Sequence, residues 1–128
     1  MKNIVKLINL TSLHLEELNI CNITPLAHLV NLTELDLSFN QISDLTPLSY
    51  LPNLTDLWLL NNNIKDVTPI SVLTKLSFLS LSFNNIYDIA PLANLTNLNW
   101  LGLDHNRISS KNLQWLKTRL PQFNILTF

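Results

Sequence analysis

The chain has 128 residues, a length that predicts one domain, and 47% of them are apolar while only 13% are charged. This composition excludes a disordered tail, and no apolar run approaches the roughly 18 to 20 residues that cross a bilayer. The net charge of −1 argues against nucleic acid as a partner, and the single cysteine, Cys21, excludes an internal disulfide. We therefore predict a cytoplasmic protein, or a secreted or cell-surface one if an upstream signal was removed.

A repeat of 22 residues organises the sequence. Three regular copies read LTELDLSFNQISDLTPLSYLPN, LTDLWLLNNNIKDVTPISVLTK and LSFLSLSFNNIYDIAPLANLTN, and a degenerate copy, LTSLHLEELNICNITPLAHLVN, precedes them. We predict one domain over residues 1–128, with 1–9 as a partial repeat or N-terminal cap, 10–97 as four repeats, and 98–128 as the last repeat with a helical C-terminal cap. Repeats that bury their apolar sides only against one another form a solenoid.

Each copy begins with the pattern LxxLxLxxN, in which the second and third leucines have strand period and point to one side. One such strand is too short to bury its apolar side alone, so parallel strands about 4.8 Å apart are expected to share a core. The asparagine is predicted to satisfy backbone groups of the turn that leaves the strand. In stacked copies these residues form an asparagine ladder, comprising Asn40, Asn62, Asn84 and Asn106.

The second half of each copy predicts a tight turn that needs no glycine. Aspartates suited to a turn or cap role occur there in three copies, at Asp44, Asp66 and Asp88. Thr46 followed by Pro47 resembles an N-cap with proline in the first helical position, which predicts single 3₁₀ turns because only about six residues are available.

The last copy departs from this pattern, because ISSKNLQWLKTRLPQF has no proline at the aligned position. Ser109 or Ser110 is predicted to cap a true helix that ends at about Arg119 and covers the end of the core. After this helix, LPQFNI fits a further LxxLxL, which would place Phe123 and Ile125 in strand register.

The pattern LxxLxLxxNxIxD, together with the tails DLTPLSYL, DVTPISVL and DIAPLANL, resembles the leucine-rich repeat family in its 22-residue, internalin-like bacterial class. The resemblance covers nearly the whole chain. It implies an α/β leucine-rich repeat solenoid, a curved right-handed horseshoe with a parallel sheet on its concave face, short 3₁₀ turns on its convex face and a C-terminal capping helix. It also implies a non-catalytic protein-protein interaction module that binds through the concave face.

Strand positions between the leucines point away from the core, and they carry aromatic residues in adjacent copies and acidic ones toward the N-terminus. Aromatic side chains are enriched where partners dock, and the acidic side predicts a protein partner with a basic or apolar segment. The predicted partner-binding residues are Trp58, Phe78, Trp100, Leu60, Glu34, Asp36, Asp56 and His14.

The aromatic residues have two other interpretations, which are cross-strand packing that stabilises the sheet and self-association of the solenoid. We favour partner binding by a monomer, because contiguous apolar patches are unusual on monomer surfaces without a function. Phe39 and Phe83 recur before a ladder asparagine, which indicates a structural role in covering the strand-to-turn corner.

Catalytic and metal sites are not expected. His14 and Asp36 are neighbours in one column and could form half of a dyad, but the sequence places no oxyanion-hole motif beside them. His14, His28 and His105 are too far apart in the repeat to share a metal, so we predict no cofactor and no enzymatic activity. The alternative function is a structural spacer or a fragment of a larger multidomain bacterial leucine-rich repeat protein.

Overall fold

The structure, a computed structural model, describes residues 8–120 and the backbone of residues 126–127. Six short strands form one parallel sheet in chain order. These strands are β1 Ser12–His14, β2 Glu34–Asp36, β3 Asp56–Trp58, β4 Phe78–Ser80, β5 Trp100–Gly102 and β6 Leu126–Thr127. Four 3₁₀ turns connect the strands of the repeats, at Thr24–His28, Thr46–Tyr50, Thr68–Val72 and Ala90–Asn94, and helix α1 follows at Ser110–Arg119. Most of the predicted N-terminal segment, residues 1–7, lies outside the described residues.

The strands stack in the register of the repeat, so that each core leucine faces its equivalent 22 residues further on. Leu57, for example, pairs with Leu35 on one side and Leu79 on the other, and all three are fully buried. The leucines and isoleucines of successive copies form one continuous apolar core between the sheet and the 3₁₀ turns. The predicted leucine-rich repeat solenoid is therefore confirmed.

The ladder asparagines bond to the backbone of two repeats at once. Asn62 Oδ1 accepts the N–H of Ile42 and Asn62 Nδ2 donates to the Leu37 carbonyl, both at 3.0 Å and both in the preceding repeat. Asn62 Nδ2 also donates to the Leu59 carbonyl of its own repeat at 3.3 Å. Equivalent bonds are made by Asn40, Asn84 and Asn106. Among the described residues, no buried side-chain nitrogen or oxygen is left without a partner, which is what a buried polar column requires.

After each of the strands β1 to β5, a residue has a backbone conformation in the left-handed region, with φ between 56° and 58°. The column comprises Glu17, Phe39, Asn61, Phe83 and His105. Phe39 and Phe83, which were predicted to cover the strand-to-turn corner, are 45% and 46% exposed. Asparagine tolerates this conformation better than phenylalanine does, so the two aromatic residues occupy it at a conformational cost.

Aspartate, and not threonine, satisfies the start of three of the four 3₁₀ turns, and Asn22 does so in the first. Asp44 Oδ1 accepts the N–H of Thr46 at 2.9 Å, and Asp66 accepts that of Thr68 in the same way. The prediction that Thr46 is the N-cap is wrong, because Thr46 lies inside the turn and Leu45 precedes it without a side-chain cap. The hydroxyl and amide of each threonine lower the pKa of its aspartate.

The C-terminal helix begins as predicted and ends the regular array. Ser109 Oγ accepts the N–H of Asn112 at 3.1 Å, and Leu116 and Leu120 are buried against the core. The predicted register of the last strand is wrong. In β6, Leu126 pairs with Leu101, and Leu126 lies three residues beyond the position that the 22-residue spacing gives. The reason is that a ten-residue α-helix replaces the shorter 3₁₀ turn.

The predicted strand residues Phe123 and Ile125 lie outside the described residues. Among the helices described between residues 8 and 120, none is long and apolar enough to span a bilayer.

Candidate binding face

The outer sheet face is the surface formed by the side chains of β1 to β5 that point away from the core. Strand pairing aligns these side chains in two rows that run across the strands. The first row is Ser12, Glu34, Asp56, Phe78 and Trp100, and the second is His14, Asp36, Trp58, Ser80 and Gly102. The acidic residues of these rows therefore lie on β2 and β3, and the aromatic residues lie on β3 to β5.

The three aromatic side chains form one aromatic stack, defined as Trp58, Phe78 and Trp100. The rings of Phe78 and Trp100 are stacked with their centroids 4.4 Å apart and an interplanar angle of 5°. Trp58 packs on the other side of Phe78 at 4.8 Å and 41°. All three aromatic residues, and Leu60 beside them, are half-buried. The rings therefore stabilise each other and still present apolar surface.

The one glycine of the sequence lies beneath this stack. A Cβ atom at Gly102 would be 2.7 Å from Trp100 Cη2 and 3.0 Å from Ser82 Oγ, so the indole ring lies across the glycine. Ser80 and Ser82 occupy outward strand positions but are buried, as is Ser38. Alternation alone predicts these serines to be exposed, yet Ser80 lies between Trp58 and Gly102 in the second row, and Ser82 donates a hydrogen bond to Asp104.

The N-terminal part of the face carries an acidic cluster, defined as His14, Glu16, Glu34 and Asp36. His14 Nε2 lies 2.9 Å from Glu34 Oε1, and His14 Nδ1 lies 3.2 Å from Glu16 Oε1. The register pairs His14 with Asp36 as expected, but the imidazole contacts the two glutamates instead. The predicted residue set omitted Glu16, whose signal was its position two residues after His14 on the same face.

The electrostatics of the cluster favour a positive charge at its centre. Both nitrogens of an imidazole can donate only when the ring is protonated, and the bond to Glu16, with Glu34 adding to it, raises the pKa of His14. Burial, with the Glu16 carboxyl adding to it, raises the pKa of Asp36. The backbone amide of Glu16, with the Asp36 carboxyl adding to it, lowers the pKa of Glu16. Two carboxyl groups held this close are stabilised by a cation or a shared proton.

The cluster offers ligand atoms for a cation but not a catalytic arrangement. Donor atoms of His14, Glu16 and Asp36 all lie within 4.8 Å of one another, a grouping that the spacing of the histidines alone did not reveal. Ser12 Oγ lies 3.3 Å from His14 Nε2, yet it donates to Glu34 at 3.3 Å. A histidine between two carboxylates prefers the protonated form, which cannot accept the serine proton.

Stacked units of one short strand, an asparagine ladder and a 3₁₀ turn define a leucine-rich repeat solenoid. A sequence profile described as "Leucine Rich repeats (2 copies)" matches residues 30–72. The chain belongs to the leucine-rich repeat family and is of the internalin-like type. Leucine-rich repeat domains are commonly protein-interaction modules.

Solved structures support this identification. The chain is 40% identical to internalin C2 from Listeria monocytogenes, with a TM-score of 0.90, over 97% of this chain and 54% of that one. Internalin F from the same organism gives 30% identity and a TM-score of 0.76, over 96% and 42% of the two chains. The chain therefore spans about half the length of these internalins.

A more distant similarity is to a structure of the SNF/U2A′ complex from Drosophila melanogaster. The identity is 26% and the TM-score 0.72, over 90% of this chain and 71% of that one. A comparison with curated protein sequences gave no match.

Proposed function

We propose that the chain is a non-catalytic protein-interaction module that binds a protein partner through the outer sheet face, the concave face of the solenoid. The observation that carries this proposal is the aromatic stack, in which Phe78 and Trp100 lie parallel at 4.4 Å and remain partly exposed. Wide rigid rings bury much area at low entropic cost, which is why they serve as anchors in interfaces.

The charge of the face indicates the chemistry of the partner. Glu34, Asp36 and Asp56 lie beside the stack, and neither outward row of β1 to β5 contains a lysine or arginine. A partner with a basic segment would be steered to this face, and the association would weaken with salt. The similar fold found in the SNF/U2A′ complex supports a binding role of this kind. We propose that the chain acts as a monomer.

Capture of partners from a lysate of the source cell tests the proposal. Wild-type protein and the double variant Trp58→Ala with Trp100→Ala are immobilised, and bound proteins are identified by mass spectrometry. The double variant should lose a partner that wild type retains, and more salt should release that partner from wild type. Because the two rings stack on Phe78, the double variant should also lose some stability, so its fold is checked by circular dichroism.

Trp115 provides a matched control for this experiment. It is the third tryptophan of the chain, lies on α1 and is 36% exposed, with its ring 5.4 Å from the guanidinium of Arg119. Trp115→Ala removes a similar ring away from the outer sheet face and should leave capture unchanged. Equal capture by wild type and the folded double variant would contradict binding through this face.

A second candidate is a spacer or a fragment of a larger multidomain leucine-rich repeat protein. The observation that favours it is that the chain spans 54% of internalin C2 and 42% of internalin F. The genomic sequence on both sides of the coding segment tests this candidate, since further repeats or domains would support it. The same sequence distinguishes a cytoplasmic protein, which we propose, from a secreted one with an upstream signal.

A further inference from the structure

The outer sheet face presents two different anchor points at a fixed separation. The acidic cluster lies on β1 and β2, and the parallel pair Phe78 and Trp100 lies on β4 and β5. From between the first two strands to between the last two is three strand spacings, which is about 14 Å at ~4.8 Å each. A partner that uses both anchors must present two suitable side chains at this distance.

We propose that this face recognises an extended protein segment with a lysine or arginine and an apolar side chain four residues apart, lying across the strands. This inference rests on the proposed function and specifies its partner. An extended chain advances about 3.3–3.4 Å per residue, so four residues cover about 13–14 Å. Side chains at i and i+4 of such a segment also point to the same side.

The acidic cluster fits the cationic end of the segment. Glu16 and Asp36 approach closely enough to perturb each other's ionisation, and Glu34 is already drawn toward His14 at 2.9 Å. A guanidinium or ammonium group from the partner would add a second positive charge among three carboxylates. The cluster stays accessible to such a group, since the side chains of Glu16 and Glu34 are 37% and 39% exposed.

The aromatic stack fits the apolar end. Phe78 and Trp100 differ by 5° in plane, while Trp58 is tilted by 41° to Phe78, so the rings form a continuous apolar surface with a bend at its edge. An aliphatic side chain can lie on this surface. A second copy of the chain is a poorer occupant, because neither outward row of its β1 to β5 supplies a lysine or arginine for the acidic cluster.

Synthetic peptides test the spacing. Capped peptides of about nine residues carry one arginine and one leucine in a serine and threonine background. The two residues stand at positions i and i+3, i and i+4, or i and i+5, in both orders along the chain. Binding is followed by the indole N–H resonances of ¹⁵N-labelled protein. Trp58 and Trp100 should shift, while Trp115 on α1 serves as the internal reference.

The peptide with four-residue separation should bind best in at least one order. Separations of three and five residues place the two side chains on opposite sides of an extended segment, so one anchor is lost and binding should weaken about tenfold, the effect of about 1.4 kcal/mol. Replacing the arginine of the peptide by norleucine should weaken binding to wild type. The same replacement should not weaken binding to the variant Glu34→Gln with Asp36→Asn.

Two results would overturn the inference. Equal affinity at all three separations would show that the two anchors do not act together, and an unchanged preference for arginine in the Glu34→Gln, Asp36→Asn variant would remove the cationic anchor. Neither result bears on capture of a whole protein partner, which depends on Trp58 and Trp100. If the double tryptophan variant also captures the partner normally, the proposed function itself fails.

Discussion

Replacing Gly102 by alanine should destabilise the protein, although alanine normally suits a strand better than glycine. Gly102 ends β5 in an ordinary backbone conformation, since no glycine of the described chain has a positive φ. The backbone therefore gives no reason for glycine at this position. The reason lies in the Trp100 indole ring, which occupies the space where a Cβ would be.

The expected loss of stability follows from two opposing effects. A Cβ at Gly102 would lie 2.7 Å from Trp100 Cη2, whereas carbon atoms in contact are about 3.5–4.0 Å apart, so the ring must move by about 1 Å. Overpacking of this kind costs roughly 1–3 kcal/mol, part of which is the lost stacking on Phe78. The gain from removing a strand glycine is about 0.5–1 kcal/mol. The net change in the free energy of unfolding is a loss of about 1 kcal/mol.

Urea unfolding of four proteins measures this effect. Gly102→Ala is made in wild type and in Trp100→Ala, and near-ultraviolet circular dichroism reports the packing of the tryptophan rings. In the Trp100→Ala background the clash with the ring is absent, so alanine should stabilise by up to about 1 kcal/mol once the Ser82 hydroxyl has shifted. If Gly102→Ala stabilises wild type as much as it stabilises Trp100→Ala, the indole does not require the glycine.

Further predictions concern the core, the left-handed column and pH. Leu57→Ala should lower the free energy of unfolding by roughly 2–5 kcal/mol through cavity formation, whereas Val72→Ala, at a position 60% exposed, should change it little in the same urea titration. Phe39→Asn should raise the free energy of unfolding by up to about 1 kcal/mol, since asparagine adopts a positive φ more readily. A lower free energy of unfolding in the urea titration would show instead that the exposed ring is structural. The pKa of His14 is raised above 6.5, so the stabilisation of the fold by protonated His14 is fully present below pH 6.5 and is lost as pH rises through the raised pKa. The stability difference between wild type and His14→Gln should therefore shrink with rising pH. The pKa of Asp66 is lowered below 3.8, so the deficit of Asp66→Asn should be present above that pH and disappear as pH falls through the lowered pKa, and a constant deficit would exclude this linkage.

Much of the fold could be predicted because each position of the repeat can be compared with its equivalents in several copies. A leucine at one strand position proves little, but equivalents such as Leu35, Leu57 and Leu79 fix both strand period and register. The C-terminal register could not be derived in this way. No second copy exists of the segment that contains α1, so the three-residue shift of Leu126 depends on the length of that helix.

The residues of the outer sheet face could be predicted as a set but not as a geometry. Alternation places Trp58 and Ser80 on the same face, but it does not report that Ser80 is buried or that the Trp100 ring lies across Gly102. The contact of His14 with Glu16 and Glu34, instead of Asp36, depends on side-chain rotamers that repeat spacing does not contain. The left-handed column was also hidden, because phenylalanine at two of its positions gives no hint of a positive φ.

The asparagine ladder gives the solenoid a direction. Asn84 Oδ1 accepts the N–H of Ile64, and Asn106 Oδ1 accepts that of Ile86, so the side-chain oxygen of each rung serves the repeat before it, while the side-chain nitrogen also donates to carbonyls of its own repeat. The protection of an amide from hydrogen exchange in one repeat should thus depend on an asparagine about 20 residues further along the chain. Opening should spread from the C-terminal end toward the N-terminal end, so the packing of α1 should protect the outer sheet face although α1 contributes no side chain to it.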